Sequence, residues 1–324
     1  MATNITTSYA GLTLKNPIIA AASPLTATAD QCRELEKAGV AAIVIKSIFE
    51  QSIAHNAHRL ADMQSHGEEA DYLDAYIGEQ MIGEWRTTLR EIKAATTIPI
   101  IASIACHTTE AWVRYAKIAT EERMDALELN LMNIGLASKR TDNGTIEQQF
   151  IDAINAVRSV STLPITVKLA VNLTNPASLA ERMKACGVKG IVLFNRPYPI
   201  DIDIEKREYI AGHTLSCLSD LSTPLRWTGL LSAEVSNIDY ALSGGVHTWQ
   251  DVVKAILAGA SAVQLCSTLY NCGLSLVQTM LHNIAEWQEA QNEETLEGYR
   301  GKMNASKEEY ANELKRIQYL HFKA

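Results

Sequence analysis

No C-x-x-C pair occurs among the six cysteines, Cys32, Cys106, Cys186, Cys217, Cys266 and Cys272. The usual spacings of a zinc site and of an iron–sulfur cluster are therefore missing, so we expect no metal and read the thiols as reduced residues of a cytoplasmic chain. No block of Lys and Arg appears, and 29 basic residues stand against 37 acidic ones for a formal charge of -8. Nucleic acid and anionic membrane surfaces are poor partners for such a surface. No apolar run reaches the ~20 residues of a membrane helix, and M-A-T-N-I-T-T-S-Y at the N-terminus lacks a charged-then-apolar signal pattern. Aromatics make up only 6% of the 324 residues, so the core has to be built from Ala, Ile, Leu and Val. No G-x-G-x-x-G follows the first strand candidate, which argues against a dinucleotide-binding open sheet.

What is present is an alternation of short apolar runs and amphipathic stretches. Strands are expected at 17–22, 41–46, 98–105, 126–131, 164–169, 190–195, 239–243 and 262–266. They are apolar on both faces, as strands covered by helices in a parallel sheet are. Helices are expected over Thr28–Ala38, Glu79–Ala95, Thr108–Glu121, Ile146–Ser159, Pro176–Cys186 and Thr248–Ala258, several of them ended by Gly39, Gly187 and Gly259. Eight such units in about 300 residues predict an α/β fold, a (β/α)8 TIM barrel, as one domain over 1–324. Rim insertions are expected at about 47–78 and 196–226, and a helical tail at about 275–324.

The chemistry is carried by strand ends. Strand seven stops at Ser243-Gly244-Gly245 and strand eight at Cys266-Ser267-Thr268. In many barrels these two loops bind phosphate through free backbone N–H groups, and a glycine lets the oxygens approach. The same glycine pair also suits a plain tight turn. Lys46 ends strand two, Lys168 sits within strand five, Asn130 lies within strand four and Asn195 ends strand six. A lysine inside an apolar strand is costly unless it meets an anion, so two of them point to an electron-rich ligand.

N-P-I-I-A-A-A-S (16–23), V-I-K-S (44–47), A-S-I-A (102–105), E-L-N-L (128–131), V-K-L (167–169), L-F-N (193–195) and S-G-G-V (243–246) occur in order. With them the chain resembles the dihydroorotate dehydrogenases over roughly residues 5 to 290, nearest to the soluble, class-one, FMN-containing type and its dihydroorotate dehydrogenase-like relatives. The resemblance implies an oxidoreductase acting on a CH–CH bond of a small planar substrate, such as dihydroorotate going to orotate in pyrimidine biosynthesis. It implies FMN held by Ala21, Ala22, Ser23, Lys46, Ser47, Asn130, Lys168, Ser243, Gly244, Gly245, Cys266 and Ser267. Lys46, Asn130 and Asn195 are the implied catalytic residues.

Two departures stand out. The family follows its strand-four Asn with a loop whose Cys or Ser takes a proton from the substrate, whereas this chain reads L-N-L-M-N-I-G-L-A-S-K-R, with Met132 and Asn133 there. Neither is a general base. The family's substrate loop after strand two is also missing, residues 65–78 reading S-H-G-E-E-A-D-Y-L-D-A-Y-I-G, and Arg196 replaces a small hydroxyl residue. Cys106, His107, Ser138, His55 and His58 are the candidate replacements. We expect a homodimer with a small-molecule substrate, passing electrons to a soluble acceptor or an electron-transfer partner subunit. The competing readings are a flavin-free phosphate-binding lyase or isomerase, and a barrel that binds a flavin or phosphate ligand without dihydroorotate activity.

Overall fold

Eight parallel strands close into a ring in the computed structural model, which describes residues 4–316 except 54, 57–67, 133–142 and 198. They are β1 (Ile18–Ala20), β2 (Ala42–Val44), β3 (Ile100–Ala105), β4 (Ala126–Leu131), β5 (Ile165–Leu169), β6 (Gly190–Leu193), β7 (Asp239–Ser243) and β8 (Ala262–Leu265). Each pairs with the next, and β8 returns to β1 through Val263 opposite Ile18. Helices α1 (Ala29–Ala38), α2 (Glu68–Ala95), α3 (Thr109–Glu121), α4 (Asn143–Arg158), α5 (Pro176–Ala185), α6 (Ser222–Glu234), α7 (Trp249–Leu257) and α8 (Leu276–Ala290) follow the strands in turn. The fold is the expected (β/α)8 barrel.

Strand parity explains why these sequences close. In β4, Leu127, Leu129 and Leu131 face the helices, and so do Ile100, Ala102 and Ile104 of β3 and Ile165, Val167 and Leu169 of β5, all in one large apolar layer. The alternate residues turn inward. Ile19, Ala42, Val44, Ile101, Ala126, Val192, Ala241 and Ala262 form a separate apolar cluster inside the ring. The N-terminal hairpin, Thr7–Tyr9 against Leu12–Leu14, closes the lower mouth by adding fully buried Tyr9 and Leu14 to this inner cluster. Gly190 leaves the Tyr9 ring its room, since a Cβ there would lie 3.0 Å from the ring carbon Cε2.

Local signals set the helix ends. The Thr28, Thr108 and Thr248 hydroxyls accept from the backbone N–H groups of Gln31, Ala111 and Asp251, and Gly39 ends α1 at φ 105°. Two boundaries differ most from expectation. Helix α2 begins at residue 68, not 79, so the later part of the 47–78 excursion is helical. The 196–226 excursion ends earlier, because Ser222 already opens α6. That helix has no capping hydroxyl and carries Pro224 and Gly229 among small polar residues, so it lacks a clear amphipathic pattern. Gly229 admits Leu314, whose Cδ1 would be 2.9 Å from a Cβ. What remains of the excursion carries an exposed hairpin, Ile200–Asp203 against Glu208–Ala211. No helix among the described residues is long and apolar enough to cross a membrane.

Gly259, at φ 112° after α7, tests the packing between α7 and α6. A Cβ there would sit 2.2 Å from Ser232 Oγ, which donates to the Ala258 carbonyl at 2.8 Å. Gly259→Ala combines left-handed strain of about 1–2 kcal/mol with overpacking of about 1–3 kcal/mol. The urea midpoint of unfolding is expected to fall clearly, and an unchanged midpoint would contradict this packing.

Candidate active site

The inward-facing residues change character along the strands. Ala126 is followed on β4 by Glu128 and Asn130, Ile101 on β3 by Ser103, Ala262 on β8 by Gln264, and Thr166 on β5 by Lys168. Apolar side chains fill the lower half of the ring, while polar ones collect at the carboxyl ends of the strands, where barrel enzymes place their sites.

A cavity of about 510 Å³ opens at that end, lined in part by Lys46, Ser47, Ser103, Asn130, Lys168 and Asn195. A second, of about 220 Å³, is lined in part by Ser243, Gly244, Gly245, Gln264, Cys266 and Ser267. Ala22, Lys168, Asn195, Arg196 and Thr214 line both. Ser23 belongs to the first and Ala21 to the second. Every residue read as cofactor-binding thus lines one of two adjoining spaces, and Lys168 stands between them.

Their contacts are specific. Lys168 is 8% exposed, and its Nζ donates to Gln264 Oε1 at 2.8 Å. Gln264 Nε2 in turn donates to Glu128 Oε2. Burial raises the Glu128 carboxyl above its ordinary range, while Lys168 and the Gln264 hydrogen bond pull it back in part. Asn195 Nδ2 donates to Asn130 Oδ1 at 2.7 Å, leaving the Asn130 amide N–H groups and the Asn195 carbonyl to address a ligand. Ser47 and Ser103 share a hydrogen bond of 2.7 Å between their hydroxyls. Around the smaller cavity, Ser267 Oγ accepts from Ser216 N at 2.8 Å, and His247 lies within hydrogen-bond reach of both Ser216 and Thr268. Arg196 donates to the carbonyls of His213 and Thr214, at 2.7 Å each, and so ties the chain after β6 to the end of its excursion.

The candidate bases are dispersed. Met132 lines the larger cavity. Cys106 instead lines a separate space of about 60 Å³, which Met132 and Asn130 also border. Burial, with the nearby Glu50 charge, pushes the Cys106 thiol far up. His107 and His55 are exposed. Asn133, Ser138 and His58 lie outside the described residues. Burial also raises the Cys266 thiol, against the influence of Lys168 and a hydrogen bond with Ser23.

Glu128 and Gln264 escaped the sequence reading, although the signal was available. Each is a polar residue inside an apolar strand, in E-L-N-L and A-V-Q-L, the same anomaly that marked Lys168.

A family model described as dihydroorotate dehydrogenase matches residues 4–287. Among curated relatives, the chain is 30% identical over 270 residues to the dihydroorotate dehydrogenase B (NAD(+)) catalytic subunit of Methanocella arvoryzae, covering 82% of this chain and 87% of the relative. It is 30% identical over 263 residues to the protein of that name from Enterococcus faecalis, covering 79% and 82%. The protein of that name from Geobacillus sp. is 29% identical over 262 residues, again covering 79% and 82%.

Glu50 anchors the β2 side of this rim to α3. It accepts from His107 N at 2.6 Å, from Thr108 N at 3.0 Å and from the Thr108 hydroxyl at 2.5 Å. Burial pushes its carboxyl up, but these hydrogen bonds outweigh that and hold it below the ordinary glutamate value of 4.5. A depressed folded value means that the stabilisation is present above pH 4.5 and is lost as pH falls through the folded value. Glu50→Gln is expected to lower stability near neutrality by about 1 kcal/mol, as loss of a helix-capping contact does. The urea midpoints of variant and wild type should converge in acid, and a constant gap across pH would remove the ionised carboxylate from the account.

Proposed function

The chain belongs to the dihydroorotate dehydrogenase family and is an oxidoreductase of that flavoprotein kind, and on this premise we propose that its two adjoining cavities hold FMN and a small planar substrate. The observation that carries the proposal is the pairing of bared glycine backbone at the end of β7 with a buried lysine between the cavities. Gly244 and Gly245 have φ of 101° and 73°. A Cβ on Gly244 would meet nothing within 4 Å among the described residues, which leaves space there for a phosphate. At Gly245 a Cβ would sit 2.1 Å from Leu221 N, which fixes glycine there for packing.

In this reading Gly244, Gly245, Cys266 and Ser267 hold the phosphate, while Ala21, Ala22 and Ser23 flank the ring system. Bound FMN would supply the two-electron acceptor that the side chains lack. The chain's own residues shape the field around it. Lys168 and Lys46 bring fixed positive charge to a site that gains negative charge on reduction, the electrostatic preorganisation that commonly dominates rate enhancement. Asn130 and Asn195, locked to each other, present the remaining donor and acceptor to ring or substrate.

Proton removal is the incomplete part. The Met132 thioether cannot take a proton, and Cys106 is both off the larger cavity and strongly held as a thiol. We therefore read the base as relocated to the 134–145 or 47–78 segments, or the substrate as one other than dihydroorotate. A flavin-holding barrel without dihydroorotate activity is the second reading, favoured by Met132. The relatives' description as catalytic subunits of NAD(+)-linked enzymes supports an electron-transfer partner subunit beside a homodimer of this chain.

Two measurements test these assignments. Gly244→Asp should place a carboxylate against the phosphate and give colourless protein, and a fully yellow variant would overturn the phosphate assignment. Mixed anaerobically with dihydroorotate, wild-type protein is expected to bleach slowly, because a general base is worth about 10²–10⁴ in rate. Bleaching at about 10 per second or faster, a typical enzyme turnover, would show that an efficient base is present. Its loss on changing Ser138 or Cys106 would then identify that base.

A further inference from the structure

Lys168 is not held by a carboxylate directly. Its ammonium meets the Gln264 carbonyl oxygen at 2.8 Å, and the other end of that amide donates to Glu128. The three residues lie on β5, β8 and β4, so the chain of contacts crosses the ring. A glutamine side chain can turn about its last bond, and only its partners decide which end faces which neighbour. Turned the other way, Gln264 would aim N–H groups at an ammonium, donor against donor, and its carbonyl at a carboxyl oxygen. Glu128 is 1% exposed, and among the described residues its Oε1 has no hydrogen-bond partner. Thr166, directly opposite Glu128 on β5, spends its hydroxyl on the Leu127 carbonyl. Gln264 Nε2 is thus the hydrogen-bond donor that holds Glu128, and Glu128 is the acceptor that orients Gln264.

We propose that Glu128 is a positioning residue that acts through Gln264 to fix the Lys168 ammonium at the junction of the two cavities, with its remaining N–H groups presented to an anionic ring edge. This rests on the FMN reading of the site. Glu128 borders the larger cavity, and in this account its effect on the ligand is exerted through Gln264. It sets where the charge of Lys168 sits, which matters most in the reduced state, where the ring carries negative charge.

The test is Glu128→Met, which fills similar space and removes the acceptor, made alone and in a Gln264→Leu background that severs the link while leaving both ends in place. Binding of oxidised and reduced FMN to apoprotein is followed by fluorescence and by the midpoint potential of the reconstituted protein. Wild type failing to bind FMN would overturn the underlying reading. With FMN bound, Glu128→Met is expected to weaken reduced FMN about tenfold more than oxidised FMN, a fall of about 30 mV for a two-electron couple. In the Gln264→Leu background the same substitution should shift the potential by less than a third of that, the non-additivity expected of residues acting in series. A residue that merely stabilises the core would lower the melting temperature and leave the potential unchanged. One acting only as a negative charge would raise the potential on removal, in both backgrounds alike. Either result overturns the proposal. Should Gln264→Leu not fold, Lys168→Met provides the second background, with the same expectation.

Discussion

A lysine ammonium in the interior of a protein is the interaction on which this site turns. Transferring an ammonium group from water into a medium of low dielectric is expensive unless it gains polar partners in return. Lys168 meets the problem with one amide carbonyl, a carboxyl group one residue further away and the open space of two cavities. Nothing in that set neutralises the charge at close range. The ammonium is left as a strong, directed donor toward whatever enters, and an anionic or electron-rich ligand completes its environment. Binding and catalysis by such a site draw on the same unfinished compensation.

The barrel makes that arrangement affordable because strand parity separates structure from chemistry. Outward residues of β3, β4 and β5 are aliphatic along the whole strand and pack against helices. Inward residues have two regimes, small and apolar beneath, polar above. The lower regime, sealed by Tyr9 and Leu14 from the N-terminal hairpin, gives the polar residues a rigid and dry floor. Glu128 and Gln264 sit at the boundary between the regimes, which is why their hydrogen bonds have so few alternatives. A site on flexible loops would not hold an amide in one orientation, whereas three paired strands do.

This division also explains what was legible in the sequence. All eight strands were recognisable, because each is a short apolar run, several of them following a helix end and a small turn, and the barrel followed from their number. Lys46, Lys168, Gly244 and Gly245 stood out as residue types that such strand ends do not need for folding. Helix α6 was hidden, since S-T-P-L-R-W-T-G-L-L-S-A-E carries Pro and Gly for tertiary reasons, Gly229 making room for Leu314. The N-terminal hairpin was hidden as well, being two three-residue strands whose pairing no local pattern announces. The polar column was only half visible. Sequence marks Glu128 and Gln264 as anomalous, but their partnership across 136 positions exists only once the ring closes.

The uneven match between the two halves of the site follows from the same geometry. Residues that would govern electron transfer sit on strands or directly at their ends, where the barrel dictates their placement: Lys168 within β5, Asn130 within β4, Asn195 just past β6 and the glycines just past β7. A proton acceptor has a different requirement. It must lie on the far side of the substrate from the ring system, above the strand ends, and so must come from a segment leaving the rim. After β4 this chain supplies Met132, a side chain that fills space and carries no exchangeable proton. On the FMN reading, the strands carry the residues that serve electron transfer, while the position after β4 carries Met132, which accepts no proton. Oxidation of a CH–CH bond needs both an electron acceptor and a proton acceptor, one carbon giving up a proton and its neighbour an electron pair with hydrogen. The substrate is therefore constrained by acidity: either its proton is labile enough to leave with weak assistance, or the base is carried by a segment that the strand-four position does not announce.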